Sequence, residues 1–132
     1  MSYRSSAHRK FHIQYHIILV CKYRKNLLKG EVGQEMKNIF ELVASRSKFS
    51  IDTMEIDKDH IHCLISSFPN ISVFSIVRKL KQESTYLIWK NFENLLRKQF
   101  WKERTFLSDG YFVATIGQVS AETIRRYIEN QG

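Results

Sequence analysis

Two runs of alternating apolar and polar residues, "FSIDTMEID" (49–57) and "HIHCLIS" (60–66), are joined by the turn Asp57-Lys58-Asp59. Alternation at period two marks a strand, and a short Asp-rich turn between two such runs closes a hairpin. On either side lies an amphipathic helical pattern. Upstream, Val32, Met36, Ile39, Phe40, Val43 and Ala44 recur at helical spacing from Glu31 to about Arg46. Downstream, a second helix starts near Ser72 with Val73, Phe74, Val77 and Leu80 on one face, and "TYLIWKNF" continues it. Gly30 breaks the pattern before the first helix, and "FPN" (68–70) ends the hairpin.

Strands complete the arrangement at both ends. In "KFHIQYHIILVCKY" (10–23), Phe11, Ile13, Tyr15, Ile17 and Leu19 face one way and His12, Gln14 and His16 the other. From Ile17 to Val20 the strand is apolar on both sides, and "IILV" makes it a natural edge for pairing with another sheet. "YFVATIG" (111–117) reads as the last strand, after the turn "SDG" (108–110), and Ser120 caps a final helix over 121–131. Residues 93–109 give no clean pattern beyond a helical reading of "ENLLRKQF". The order β-α-β-β-α-β-α predicts an α+β, ferredoxin-like split βαβ domain. Its four-stranded antiparallel sheet carries helices on one face, plus a C-terminal helix. With Pro69 as the one proline and no Gly/Ser-rich linker, residues 1–132 read as a single domain. That fold class hosts binding modules and nucleases alike, so function has to come from a site.

Charge narrows the partners. The chain has 21 Lys and Arg against 13 Asp and Glu, a net charge of +8. The excess falls in "KYRKNLLK" (22–29), "RKLK" (78–81), "RKQFWKER" (97–104) and "RR" (125–126), with Tyr23, Trp89, Phe100 and Trp101 among or near these clusters. Basic clusters with aromatics suit a phosphate backbone and unpaired bases. Two cysteines in apolar runs, Cys21 and Cys63, argue against a disulfide scaffold and for a reducing cytosol. No signal-peptide core or membrane-length apolar run is present, so the expected location is cytoplasmic, nucleoid-associated when bound to DNA, with no membrane partner.

Two pairs of residues carry candidate chemistry. His60 and His62 point to the same side of their strand, about 7 Å apart along it, within reach of one divalent ion. Alone, such a pair is more often just the polar face of a strand. Four-ligand zinc is disfavoured, since no second Cys/His pair stands at zinc spacing. His8, His12 and His16 can join only if the first strand lies alongside, and read as ordinary polar-face residues. On the last helix, Tyr127 and Gln131 are four apart and share a side, beside an apolar stripe of Ile124 and Ile128. A tyrosine there is commonly a half-buried packing residue. As a nucleophile its phenol needs help at neutral pH, from a metal ion or a base.

Together, the His-hydrophobic-His strand and the helix with Tyr-x-x-x-Gln make the chain similar to single-tyrosine His-hydrophobic-His (HUH) nucleases. More specifically, it resembles the small transposases of the insertion-sequence-200/605 family. The matching segments are "YHIILVCKYRKNLLKGEV" (15–32), "MEIDKDHIHCLISSFP" (54–69), "IVRKLKQES" (76–84) and "SDGYFVATIGQVSAETIRRYIENQG" (108–132). The resemblance implies that Tyr127 is the nucleophile and that His60, His62 and Gln131 hold Mg²⁺ or Mn²⁺. It also implies cleavage and rejoining of single-stranded DNA at insertion-sequence ends through a 5′-phosphotyrosine. The partners implied are DNA hairpins near those ends and a second copy of the chain, in a homodimer whose sheets join. Lys22, Arg24, Arg78 and Lys81 are candidate DNA contacts from composition. Leu107 stands where relatives often place tryptophan, and the helix ends one residue after Gln131, so that ligand is expected to be ordered by DNA or the partner. Two other readings fit the charge and fold: a non-catalytic single-stranded nucleic-acid-binding module, and a domesticated nickase of the same chemistry.

Overall fold

The computed structural model describes residues 13–115 and 121–131. Its sheet is built from β1 (Ile13–Val20), β2 (Ser50–Asp57), β3 (His60–Ser67) and β4 (Phe112–Thr115), in the order β2-β3-β1-β4 with every pairing antiparallel. The long helices are α1 (Gly30–Ser45) and α2 (Val73–Asn91), followed by a short α3 (Glu93–Gln99) and, after β4, α4 (Ala121–Asn130). This is the ferredoxin-like α+β arrangement that the element order predicts.

The helices α1 and α2 cover one face of the sheet. Ile17, Leu19, Ile61, Cys63 and Ile65 from the strands pack with Met36, Phe40 and Val43 of α1 and Ile76, Leu80 and Ile88 of α2. Ser72 caps α2, its hydroxyl accepting from the Ser75 amide at 3.1 Å. Burial on this face, about 25 cal/mol per Å² of apolar surface, is the main force holding the layers. The cap of the last helix expected at Ser120, and His8 and His12, lie outside the described residues.

Two features differ from the sequence reading. β1 is not an edge: it lies between β3 and β4. The reason is visible in "IILV", whose Ile17, Ile18, Leu19 and Val20 are all buried. A strand apolar on both faces gains most where both faces are covered, which is the middle of the sheet. The second difference is α3, which is a separate helix because Phe92 leaves helical geometry at φ −134°, ψ 39°. Leu107 is buried and bridges to Cys21, so the residue in the tryptophan position packs into the core.

Candidate functional site

Strand register decides which side chains meet. In the β1–β3 pair, Val20 lies opposite His60 and Ile18 opposite His62; in the β1–β4 pair, Ile18 lies opposite Phe112. Residues directly opposite one another share a face. His60, His62, Phe112 and His16 therefore look away from α1 and α2, onto the second face of the sheet. The helix α4 joins them there, because the Tyr127 ring packs on Phe112 with centroids 5.5 Å apart.

Each imidazole has a carboxylate behind it. His60 Nδ1 lies 3.0 Å from Asp59 Oδ1, and His62 Nδ1 lies 4.0 Å from Glu55 Oε1. A carboxylate at Nδ1 fixes the ring and leaves Nε2 as the metal-facing nitrogen, as in many metal-bound histidines. The Nε2 of His62 is 3.1 Å from Nδ1 of His16. Among the described residues, no three His, Cys, Asp or Glu side chains form a ready cage. The donors present, two carboxylate-backed imidazoles and a nearby amide, nonetheless have the chemistry to hold a divalent cation.

Burial lowers the pKa of His62, the charges of His16 and His60 lower it further, and Glu55 opposes them. The folded chain thus binds this proton less readily than the unfolded chain, whose His62 titrates near 6.5. Stability from this group is complete above that pH and is lost as pH falls through the lower, folded value. A urea-midpoint series should show a decline on the acid side of 6.5 that His62→Phe flattens.

Tyr127 is half-buried, and its hydroxyl is a buried polar atom without a hydrogen-bond partner among the described residues. Burial pushes the phenol up to about 12. Gly110 makes the approach possible: a Cβ there would stand 3.4 Å from Gln131 Oε1 and 3.7 Å from the Tyr127 hydroxyl. Gln131 is held, its Oε1 accepting from Ser108 Oγ at 3.2 Å and its amide donating to the Ile128 carbonyl. Beside it, Lys22, Ser108, Asp109, Gly110 and Gln131 help to line an open pocket of about 400 Å³.

One arginine spans the two halves of the site. Arg24 Nε lies 3.4 Å from Asp59 Oδ2, the carboxylate behind His60, while its Nη1 donates to the Glu129 carbonyl of α4 at 2.9 Å. That carbonyl is in the last turn of the helix, where no intrahelical partner remains. Reaching both requires an unusual backbone: Tyr23 and Arg24 are left-handed, with φ of 61° and 52°. Non-glycine residues adopt that conformation at a cost, typically where a functional geometry is being held.

A family model described as "Transposase IS200 like" matches residues 9–131. The chain belongs to the IS200-like transposase family. It is 32% identical over 128 residues to the transposase for insertion sequence element IS200 of Salmonella typhimurium, covering 97% of this chain and 82% of that one. It is 29% identical over 121 residues to the ISDra2 transposase TnpA of Deinococcus radiodurans, covering 92% and 85%. The crystal structure of a candidate transposase from Deinococcus radiodurans R1 superposes with a TM-score of 0.84 at 27% identity, over 92% of each chain. A REP-associated tyrosine transposase bound to a REP hairpin shares the fold, with a TM-score of 0.58 at 13% identity over 89% of this chain and 62% of that one.

Within this IS200-like transposase the other basic candidates have defined surroundings. Lys22 Nζ is 3.7 Å from Asp109 Oδ2, and Lys81 Nζ donates to the Asp109 carbonyl at 2.8 Å, so both brace the turn before β4. Arg78 is exposed on α2. Of the aromatics, Tyr23 and Trp101 are exposed, whereas Trp89 and Phe100 are buried. Sequence reasoning missed His16, Asp59, Ser108 and Gly110. Asp59 was signalled by its place beside His60 in "DHIH"; His16 depended on strand register. None of the helices among the described residues is long and apolar enough to cross a membrane.

Proposed function

We propose that this chain cleaves and rejoins single-stranded DNA at insertion-sequence ends, with Tyr127 as nucleophile. The observation that carries the reading is the Tyr127 hydroxyl, buried without a partner on a helix that Arg24 ties to the Asp59–His60 pair. A polar atom kept in such a place costs stability, which a reactive role accounts for. In the first step the phenolic oxygen attacks phosphorus, the new O–P bond replaces the P–O3′ bond, and the departing 3′ oxygen gains a proton. In the second step a 3′-hydroxyl from another end or the target attacks the same phosphorus, and the tyrosine leaves with a proton restored. No net bond energy is lost, so neither water nor ATP enters.

With its phenol pushed up to about 12, Tyr127 is scarcely ionised at neutral pH and needs activation. His60, His62 and Gln131 are the residues that would hold Mg²⁺ or Mn²⁺. Such an ion, when bound, withdraws charge from the phosphate and lowers the barrier to attack. Ser108 orients the Gln131 amide, and Asp59 orients His60. The exposed Trp101 and Tyr23 offer ring faces for unpaired bases. The homodimer implied by the resemblance would join at an edge strand. β2 carries Asp52, Glu55 and Asp57 and an irregular register between Ile51 and Thr53, which discourage pairing, whereas β4 is short and exposes Val113.

Incubation of labelled single strands carrying the element's terminal hairpins with protein and Mg²⁺ or Mn²⁺ tests the reading on denaturing gels. Cleavage with a slow covalent species, both lost on chelation, is the expected result; tight binding without cleavage under either metal would favour a binding module. Arg24 adds a sharper expectation. As a brace between α4 and His60, its replacement by Ala should slow single-turnover cleavage on the order of ten- to a hundredfold, the scale of a misplaced reactive group. Single-strand affinity should change little. If Arg24 is chiefly a phosphate contact, affinity falls instead, and the salt dependence of binding becomes shallower.

A further inference from the structure

We propose that His16 is a metal donor of this site, presenting Nδ1 to the same divalent ion as His62 Nε2. The inference rests on the metal-assisted reading above and adds a ligand to it. It begins from a contact: His16 Nδ1 and His62 Nε2 are 3.1 Å apart. The ring centroids are 5.2 Å apart and the planes are tilted by 40°. Two nitrogens on one ion at about 2.1 Å each, at angles from square to tetrahedral, stand about 3.0–3.4 Å from one another. The pair therefore already has the spacing of two neighbouring ligands.

The alternative for an ion at His62 is less economical. Glu55 lies on the Nδ1 side of that ring, so Nε2 is the nitrogen turned towards the site. An ion arriving at Nε2 must either displace His16 or include it. Inclusion needs the loss of one hydrogen between two nitrogens, with little movement of either ring. Strand register holds both rings in place: His62 sits opposite Ile18 and His16 opposite Leu64, so the two are diagonal neighbours across β1 and β3, both interior strands. His60 lies on the same face two residues along β3 from His62 and remains the next donor at hand.

A third imidazole changes which metals the site prefers. Nitrogen donors favour Mn²⁺, Co²⁺, Ni²⁺ and Zn²⁺ over Mg²⁺, which prefers oxygen and water. The site should then take Mn²⁺ more tightly than Mg²⁺, and His16→Phe should narrow that gap.

The test uses metal alone, on the full chain without DNA. Histidine ¹⁵N resonances are followed while Zn²⁺ is added, and Mn²⁺ affinity is measured by electron paramagnetic resonance for wild type, His16→Phe and His60→Ala. A metal-bound shift at His16 Nδ1 together with that at His62 Nε2, and about a tenfold or greater loss of Mn²⁺ affinity in His16→Phe, is the expected result. The resonance measurement needs no variant, so it stands even if His16→Phe folds poorly. Metal-bound shifts at His60 and His62 with His16 released as a free imidazole would overturn the role of His16 while leaving the metal reading intact. No response at any of the three histidines, with Mn²⁺ affinity unchanged in His60→Ala, would overturn both.

Discussion

Tyr127→Phe should lose strand cleavage by more than about a thousandfold while the protein becomes no less stable. The two halves of this expectation come from different atoms. The ring stacks on Phe112, and phenylalanine keeps that contact. The hydroxyl is buried and makes no hydrogen bond among the described residues, so removing it costs no bond and relieves a desolvated polar group. A gain of about 1 kcal/mol is the scale set by unsatisfied buried groups. Denaturant midpoints and single-turnover cleavage measured on the same preparations check both halves. If Tyr127 were only a packing residue, cleavage would survive the substitution.

Phe40→Ala should do the reverse. Phe40 is fully buried on α1 and packs in the core with strand and α2 residues, on the face of the sheet opposite the histidines. Its truncation removes a large apolar side chain and leaves a cavity that α1 and the sheet cannot close by small shifts. The expected loss is about 3–5 kcal/mol. A domain of this kind has only about 5–15 kcal/mol in total, so the urea midpoint should fall by a large fraction. At low temperature, where enough folded protein remains, the rate per folded molecule should stay close to that of wild type. A large change in that rate would mean that the two faces of the sheet are coupled, contrary to the layered description.

Much of this molecule was legible before any coordinates. The hairpin with its Asp57-Lys58-Asp59 turn, the two long helices and the last strand are local patterns, and each appears within a few residues of its expected bounds. Period-two alternation put His60 and His62 on one face, and helical spacing put Tyr127 and Gln131 on one side, where Gly110 now meets both. What escaped depended on contacts distant in sequence. His16 is 46 residues from His62, and only the β1–β3 register brings them together. The central place of β1 was misjudged because an apolar strand suits an edge awaiting a partner or a middle position, and sequence alone did not choose. Arg24, Lys22 and Lys81 looked like DNA contacts because charge is visible in a sequence and its partner is not. Asp59, Glu129 and Asp109 supply those partners here.

The central claim is that Tyr127 becomes covalently joined to the 5′ side of a cleaved single strand. The most direct measurement is mass spectrometry of protein trapped during cleavage, with a substrate labelled on each side of the scissile phosphate and the adduct mapped after proteolysis. The account predicts a phosphodiester to Tyr127 carrying the DNA downstream of the cut, with a free 3′-hydroxyl on the upstream fragment. Cleavage with no adduct at Tyr127, or with the phosphate linked to another residue, would contradict it.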